Sequence, residues 1–431
     1  MAGFFHLLKT NANYRSTWMA QVVSEVGDNF NNIAVFALVI QQTHSGMAVA
    51  GVMLSRAVGI LIAGPIAGVA LDRFDRRRIM VASDVLRAVI ALAFLFTIHE
   101  RNVALLLFQS GLLMFASPFY TSGRSSILPS IATAEELHTA NSLTQTTAWT
   151  SVALGSFLGG SIASWFGFHV AFIFNALSFV FSAYFISRLH APGENGFLAD
   201  RGTAVRERKH PLQDYIAGLR YMRSVPLLFA IALVGVGWAT GGGAAQILFS
   251  LFGEVVFKRG AAGIGELWGS AGIGLILGGI VANTWGRRLS YERYKWAIVA
   301  CYAVHGGTYI LFSLSPSYLL ALLFIVVSRM AVAISSVLNF TQVLRHTPDR
   351  FRGRVTSTME SMVWATMMFS LTVAGFFSQT RSPRDIGVIA GICSSMTAVF
   401  WGWAQFTGRL PEPPLEGHEP ESEEEVEVHV S

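Results

Sequence analysis

The chain has 431 residues, of which 52% are hydrophobic and only 13% are charged. Soluble domains carry about 25% charged residues, so this composition excludes a set of water-soluble domains and indicates that lipid surrounds most of the chain. The formal net charge is +5, but eight of the 26 acidic residues are Glu in the last twenty-one positions. The first 410 residues therefore hold 31 basic and 18 acidic side chains, an excess that favours either nucleic-acid binding or the cytoplasmic bias of a membrane protein.

Twelve segments are long and apolar enough to span a bilayer, which takes about 20 residues in a helix. In chain order they cover residues 17–42, 47–70, 79–98, 103–128, 140–165, 167–188, 227–252, 261–285, 295–313, 317–342, 355–378 and 385–406. The predicted fold class is an all-α polytopic membrane protein with twelve transmembrane helices. An even number of spans places both chain ends on the same side of the membrane.

The distribution of basic residues decides which side that is. Twenty-two Lys and Arg fall in the termini and loops of one side, five fall on the other side, and four lie within spans (Arg56, Arg87, Arg124 and Arg329). Cytoplasmic loops carry the excess of basic residues, so both termini are expected in the cytoplasm. This bias explains the positive charge without a nucleic-acid partner.

A polar stretch divides the spans into two groups of six. The predicted units are residues 1–188, a cytoplasmic linker at 189–226, residues 227–408, and an acidic tail at 409–431 that is expected to be disordered. Within the linker, 212–222 is expected to form a short amphipathic helix. Cys301 and Cys393 both lie in apolar runs, which indicates neither a disulfide framework nor a metal site, and no cofactor is expected.

Two polar turns at equivalent places in the two halves share one pattern. Each has Gly, then Asp or Asn four positions later, then a pair of Arg at the same offset. The residues are Gly68, Asp72, Arg73, Arg76 and Arg77 in the first turn, and Gly279, Asn283, Gly286, Arg287 and Arg288 in the second. Internal repeats of this kind are how many transporters are built, although a simple cluster of topogenic arginines explains the basic residues alone.

The first turn resembles the loop signature of the major facilitator superfamily, with Asp75 where that signature has its second Gly. The resemblance implies two pseudo-symmetric six-helix bundles, and a cytoplasmic charge network in which the two turns form a gate, together with Asp84 and Arg87. Gly68 is expected to permit close helix packing. Gly155, Gly159 and Gly160 resemble the antiporter signature of the family, with Ser156 replacing Pro; their alternative interpretation is helix packing through small residues.

Further short segments resemble those of the branch of the superfamily that contains macrolide efflux proteins and the enterobactin exporter. They are Ser24–Asp28, Leu128-Pro129 with Ala140–Leu143, and Pro348–Val355. Arg124 resembles a buried Arg of the fourth family helix. Gly27–Asn29 and Ser117-Pro118 are also similar to the bacterial lysophospholipid transporter.

The first span carries a polar stripe. Steps of three and four place Gln21, Glu25, Asp28 and Asn32 on one helix face, which must turn away from lipid. Arg56 on the second span differs from Asp28 in depth by about 6 Å, so we expect Arg56 to face Asp28 or Glu25. Protonation of the acid then modulates the pair; the alternative is a static ion pair that joins the two spans.

Asp84 and Arg87, at i and i+3 on the third span, are expected to pair with the basic turn Arg73–Arg78. Glu266, Arg329 and His305 are weaker candidates in the second half.

The leading functional hypothesis is a proton-coupled secondary exporter of amphipathic small molecules, of drug or siderophore type, that works by alternating access. Glu25 and Asp28 would couple protons, and Arg56 and Arg124 would contact substrate or restore charge. The expected setting is the bacterial inner membrane, with a monomer that contacts lipids. A single-chain ATP-driven pump is disfavoured because the sequence has no Gly-x4-Gly-Lys-Ser/Thr, and an intramembrane enzyme because its eleven His are scattered. A lipid flippase on the same scaffold is the alternative.

Overall fold

The computed structural model describes residues 2–100, 102–190, 197 and 211–413, and these residues form fourteen α-helices. Two of the helices are short, α1 (Ala2–Thr10) and α8 (Pro211–Ser224). The twelve long helices are α2 (Ala12–Thr43), α3 (Gly46–Arg73), α4 (Arg76–Glu100), α5 (Val103–Ile131), α6 (Ala134–Phe166), α7 (Phe168–Ser187), α9 (Pro226–Leu251), α10 (Gly260–Trp285), α11 (Tyr291–Leu314), α12 (Tyr318–Arg345), α13 (Asp349–Phe377) and α14 (Pro383–Phe406).

Each predicted span coincides with one long helix, and the short helix expected near 212–222 is present as α8. The sequence prediction missed α1. Most of the linker and the acidic tail beyond 413 lie outside the described residues.

Ten of the long helices are apolar enough to cross a membrane by length and composition. The other two, α2 and α6, have 32 and 33 residues but are more polar. These two helices pack against each other, so their polar side chains are partly turned toward protein. The described helices thus form a multi-pass membrane protein in which the polar exceptions are interior elements.

The two sets of six long helices share one order of neighbours. In the first set α6 contacts α2, α2 contacts α7, and the series continues through α4 and α5 to α3. In the second set α13 contacts α9, α9 contacts α14, and the series continues through α11 and α12 to α10. Helix α6 therefore corresponds to α13, α2 to α9, and each remaining helix to the one numbered seven higher. This constant offset is expected of an internal repeat.

Helix ends follow local capping rules. Ser45 caps α3 by accepting from the amide of Ala48, and Thr133 and Glu136 form a complete capping box at the start of α6. Gly167 joins α6 to α7 with a φ of 88°, a left-handed value that favours glycine. These devices turn the chain sharply, so consecutive long helices run antiparallel.

The two sets share an apolar core toward one end of the molecule. We call the end that carries the turn at Arg73–Arg78 the basic end, and the end that carries the turn at His44 the opposite end. A single apolar core joins both sets toward the opposite end, whereas separate clusters occupy each set toward the basic end. The sets contact chiefly through α6 with α10 and α3 with α13. The molecule is therefore closed at the opposite end.

Candidate functional site

The polar stripe of α2 faces the protein interior, as its spacing predicts. Gln21 is buried, and its amide donates to Glu25 Oε1 at 2.9 Å and to the carbonyl of Thr144 on α6 at 3.1 Å. Asn29 donates to the backbone carbonyl of Glu25 at 2.8 Å. Glu25 is thus held by neutral donors on its own helix.

Glu25 pairs with Arg124 of α5. The distance from Arg124 Nη1 to Glu25 Oε1 is 3.6 Å, longer than a hydrogen bond, and both side chains remain partly exposed. The second carboxylate oxygen, Oε2, is buried without a hydrogen-bond partner. The acid is therefore incompletely satisfied, with capacity to accept a proton or another donor.

Asp28 pairs with Arg87 of α4 at 3.8 Å, and its other oxygen also lacks a partner. Arg87 makes a second ion pair with Asp84, to which the hydroxyl of Ser182 donates at 2.7 Å. Arg87 lies over the rings of Tyr120 and Phe179, at 4.7 and 4.3 Å from their centroids. The guanidinium is thus fixed by a buried acid and two rings, while Asp28 is the looser partner, with a side chain 25% exposed.

Arg56 forms no ion pair with Asp28 or Glu25 among the described residues, although its charge acts on Asp28. Arg56 Nη1 donates instead to Asn32 Oδ1 at 2.6 Å, and its guanidinium lies 5.1 Å from the ring centroid of Phe36. Asn32 lies one helical turn beyond Asp28 on the same face of α2, and its amide oxygen takes the hydrogen bond of Arg56. Arg87 takes the place beside Asp28.

The expected contact of Asp84 and Arg87 with the basic turn is also absent. Both side chains are buried between α4, α5 and α7, where they join Asp28. Sequence reasoning missed this link because it compared depths only for α2 and α3. The same comparison on α4 would have made Arg87 a candidate partner, since Arg87 and Asp28 both lie near the middle of their spans.

The first basic turn is anchored within its own half. Arg76 donates to the carbonyl of Ser126 and Arg77 to that of Leu189, each at 2.9 Å. Asp72 and Arg73 are exposed. A Cβ placed on Gly68 would have no neighbour within 4 Å, so the close packing expected at this glycine is not present in this conformation.

The second turn lies closer to its neighbours. A Cβ on Gly279 would lie 3.0 Å from Trp149 of α6, and one on Gly286 would lie 2.8 Å from Leu338. Asn283 and Arg288 are exposed, and the side chain of Arg287 lies outside the described part of the structure. The two copies of the motif therefore occur in different surroundings.

The three glycines of the antiporter-like motif serve helix packing. Gly155 and Gly159 lie against α2, where added Cβ atoms would come within 2.8 Å of Asn29 Cβ and Phe30 Cα. Gly160 lies against α10, where a Cβ would be 2.6 Å from the carbonyl oxygen of Ala261 and 2.8 Å from the Cα of Gly265. These contacts agree with the small-residue packing interpretation.

The second half contributes a different set of polar groups. Glu266 lies toward the opposite end, where it accepts from Tyr318 Oη at 2.6 Å and lies 3.6 Å from Arg259 Nε. His305 is buried, with Nδ1 2.7 Å from the hydroxyl of Ser328. Arg329 lies over Phe249. Among the described residues no group of three His, Cys, Asp or Glu is arranged to hold a metal ion.

The chain is similar in sequence to known exporters. It is 24% identical over 366 residues to the enterobactin exporter EntS of Shigella boydii, a match covering 81% of each chain, and equally so to EntS of Escherichia coli O81.

Solved transporters share its fold. A bacterial homologue of the human lysosomal transporter Spinster, in an inward-facing and unoccupied conformation, has a TM-score of 0.67 at 16% identity, covering 93% of this chain and 99% of that one. A bacterial homologue of the iron transporter ferroportin, also inward-facing, has a TM-score of 0.69 at 14% identity, covering 90% and 98%. The nucleoside transporter NupG has a TM-score of 0.72 at 10% identity, covering 90% and 99%.

The model of the Major Facilitator Superfamily matches residues 17–370, which include the α2 stripe, both motif turns and the three packing glycines. The protein is therefore a multi-pass membrane protein of the Major Facilitator Superfamily.

Proposed function

We propose that this protein is a proton-coupled secondary exporter of amphipathic small molecules, of drug or siderophore type. Family membership and the similarity to an enterobactin exporter support transport and an outward direction. The observation that carries proton coupling is the state of Asp28, a partly exposed acid with one long ion pair and one oxygen without a partner. The protein acts as a monomer in the bacterial inner membrane, in contact with its lipids.

In this proposal all twelve long helices span the membrane, as two six-helix bundles with both termini in the cytoplasm. The repeated order of helix neighbours supports the two bundles. The excess of arginines at the basic end supports its cytoplasmic placement. The conformation described is then inward-facing, because the bundles pack together at the opposite end and separate at the basic end.

The chemistry of coupling follows from the contrast between three acids. Asp84 is buried and bonded on both oxygens, by Arg87 and Ser182, so it serves as a fixed counterion. Asp28 and Glu25 are each about a quarter exposed and each keep an oxygen without a partner. A proton that binds Asp28 or Glu25 neutralises the carboxylate of its ion pair with Arg87 or Arg124. Because the nitrogen–oxygen distance of each pair already exceeds that of a hydrogen bond, separating the arginine from the neutral acid takes little free energy.

The release of these pairs links protonation to the arrangement of helices. Asp28 and Glu25 both belong to α2, whereas their partners belong to α4 and α5. Neutralising the acids loosens α2 from these neighbours, while Gly155 and Gly159 keep α2 in contact with α6. The two bundles can then rock about the middle of the α6–α10 contact, where Gly272 lies against Ala153, and the exposed residues Asp72 and Arg73 can meet the other bundle when the basic end closes.

The test compares variants of the two acids with a matched control. A deletion strain and an overexpressing strain are screened for growth against antibiotics, siderophores and lysolipids, and a substrate found this way is followed in everted vesicles under an imposed pH gradient. We expect Asp28→Asn and Glu25→Gln to lose the stimulation of transport by the gradient. The control is Glu292→Gln, which changes an exposed acid at the basic end of α11. Unchanged gradient dependence in both acid variants would refute their coupling role.

A lipid flippase remains the second candidate, and one cavity favours it. A cavity of about 570 Å³ lies between α9, α13 and α14. Its wall includes the exposed rings of Phe369 and Phe377. Arg381 and Asp385 also line the cavity, where it nears the opposite end of the molecule. This layout suits an acyl chain with a polar headgroup. Substrate movement that persists in vesicles treated with an uncoupler would favour the flippase over the exporter.

A further inference from the structure

Arg329 differs from Arg56, Arg87 and Arg124, the three other arginines that lie within the predicted spans. It lies twelve residues into α12, about 17 Å along the helix from the opposite end, and thus near mid-membrane. Arg56 bonds Asn32, Arg87 pairs with two acids, and Arg124 pairs with Glu25. In the described part of the chain, no hydrogen bond or ion pair is found for the Arg329 guanidinium, and its buried Nε lacks an acceptor.

Among the described residues, no carboxylate lies within ion-pair distance of Arg329. Its guanidinium carbon lies 5.5 Å from the ring centroid of Phe249. The gap beside it is lined by Gly241, Gly242, Ala245, His305, Tyr309 and Ser394. The imidazole of His305 is engaged with Ser328, and the hydroxyl of Tyr309 is buried without a partner. The guanidinium of Arg329 therefore lies beside an aromatic ring and neutral polar groups, and its Nε has no acceptor among the described residues.

Arginines buried in a membrane protein pair with acids or backbone carbonyls, or else mark the path of a substrate or ion. The ring of Phe249 compensates for part of the lost hydration but supplies no hydrogen-bond acceptor. The three acids of the candidate site, Glu25, Asp28 and Asp84, all belong to the first set of helices. None of these three acids forms an ion pair with Arg329 in the described structure.

Aromatic side chains connect Arg329 to the contact between the two sets of helices. Phe249 of α9 meets the ring of Trp268 of α10 edge-on at 5.2 Å, and Trp268 stacks on Phe36 of α2 at 6.5 Å. Phe36 and Phe249 are fully buried, whereas Trp268 is partly exposed. Arg56 lies over Phe36 at the far side of this cluster, with Nε and Nη2 also lacking acceptors. The cluster thus has an incompletely satisfied guanidinium at each end.

We propose that the transported molecule is an amphipathic organic anion, with its anionic group bound by Arg329 and its apolar or aromatic body packed against Trp268. This inference rests on the proposed transport function and specifies its substrate class. A carboxylate, sulfonate or phosphate supplies the two acceptors that a guanidinium binds in parallel. The anion binds in the second half while the proton binds Asp28 or Glu25 in the first, so the two ligands occupy separate groups.

The test is a binding measurement on the purified full-length protein in detergent, by fluorescence anisotropy of two dyes with similar ring systems. Carboxyfluorescein is the anionic probe and rhodamine 123 the cationic one. We expect wild-type protein to bind carboxyfluorescein and Arg329→Gln to weaken that binding at least tenfold, with Arg329→Lys between them. Arg293→Gln, an exposed arginine at the basic end, is the matched control and should bind as wild type does.

Wild-type protein that binds carboxyfluorescein no better than Arg329→Gln overturns the proposal, as does a preference for rhodamine 123 that the substitution leaves unchanged. If Arg329→Gln does not elute as a single folded species, Trp268→Leu replaces it, with a several-fold loss of carboxyfluorescein binding expected and an unchanged affinity counting against the proposal. The assay uses no proton gradient. Failure of proton coupling in the Asp28 and Glu25 variants would therefore leave this result intact, and the two proposals fail separately.

Discussion

The contact between Gly160 of α6 and Gly265 of α10 allows a direct test of how the opposite end is held closed. A Cβ at Gly160 would lie 2.6 Å from the carbonyl oxygen of Ala261 and 2.8 Å from the Cα of Gly265. Both neighbours are backbone atoms, which no change of rotamer can move. The substitution Gly160→Ala therefore pushes α6 and α10 apart where the two sets of helices meet.

The magnitude follows from the cost of overpacking a tight contact, about 1–3 kcal/mol. Because the strain exists only while the opposite end is closed, it raises the free energy of the conformation closed at that end and not of one open there. A difference of about 1–3 kcal/mol shifts the ratio of two conformations by about 5-fold to 150-fold. We therefore expect Gly160→Ala to populate a conformation that is open at the opposite end.

The assay is a distance measurement between spin labels at Glu100→Cys and Gln379→Cys, two exposed positions at the opposite end, in a background with Cys301→Ala and Cys393→Ala. Gly160→Ala should broaden the distribution toward longer distances. The control is Gly307→Ala on α11, where an added Cβ has no neighbour within 4 Å. A folded Gly160→Ala protein with the distribution of the control would refute the assignment of this contact as the closure of the opposite end.

Three further predictions concern stability and gating. Ser182→Ala removes the hydroxyl donor to the buried Asp84, so we expect about 1–3 kcal/mol of destabilisation, seen as a lower temperature of thermal unfolding in detergent, and an unchanged temperature would show that Asp84 finds another donor. Thr133→Ala breaks the capping box of α6 and should cost about 0.5–2 kcal/mol while leaving transport rates unaltered, with Thr133→Ser as the matched control that keeps the cap. Asp72→Asn alters an exposed side chain at the basic end and should therefore slow transport in vesicles without lowering the unfolding temperature. Asp75→Ala removes the oxygen that accepts from the amide of Arg78 at the start of α4, so it should lower the unfolding temperature. Equal effects of these last two variants on both measurements would contradict the gating role of Asp72.

Much of the fold could be predicted from the sequence because the bilayer imposes a simple rule. Each helix must cross about 30 Å of hydrocarbon, so its length and apolar composition appear as a run of about 20 residues. The twelve predicted runs match the twelve long helices for this reason. The exception is α1, a nine-residue helix whose short length gives no comparable signal.

The candidate site could be predicted only in part. The α2 stripe emerged from helical periodicity, because lipid does not tolerate four polar side chains on one exposed face. The partners of that stripe could not be predicted, since Arg56 and Arg87 lie on different helices. The rotation of each helix about its own axis decides which guanidinium forms the ion pair with Asp28. Depth along a span can be counted from residues, whereas rotation about the helix axis depends on packing with neighbours such as Tyr120 and Phe179.

The sequence by itself determined the solvent of the chain, the number of its apolar segments, the repeat of its basic turns and the inward direction of the α2 stripe. These properties follow from local composition and spacing, which act on each segment separately. Only the tertiary structure decided that Arg87 rather than Arg56 faces Asp28, that Gly160 closes the opposite end, and that Arg329 has no acid beside it. Those contacts join residues distant in the chain, and they depend on how the twelve long helices pack against one another.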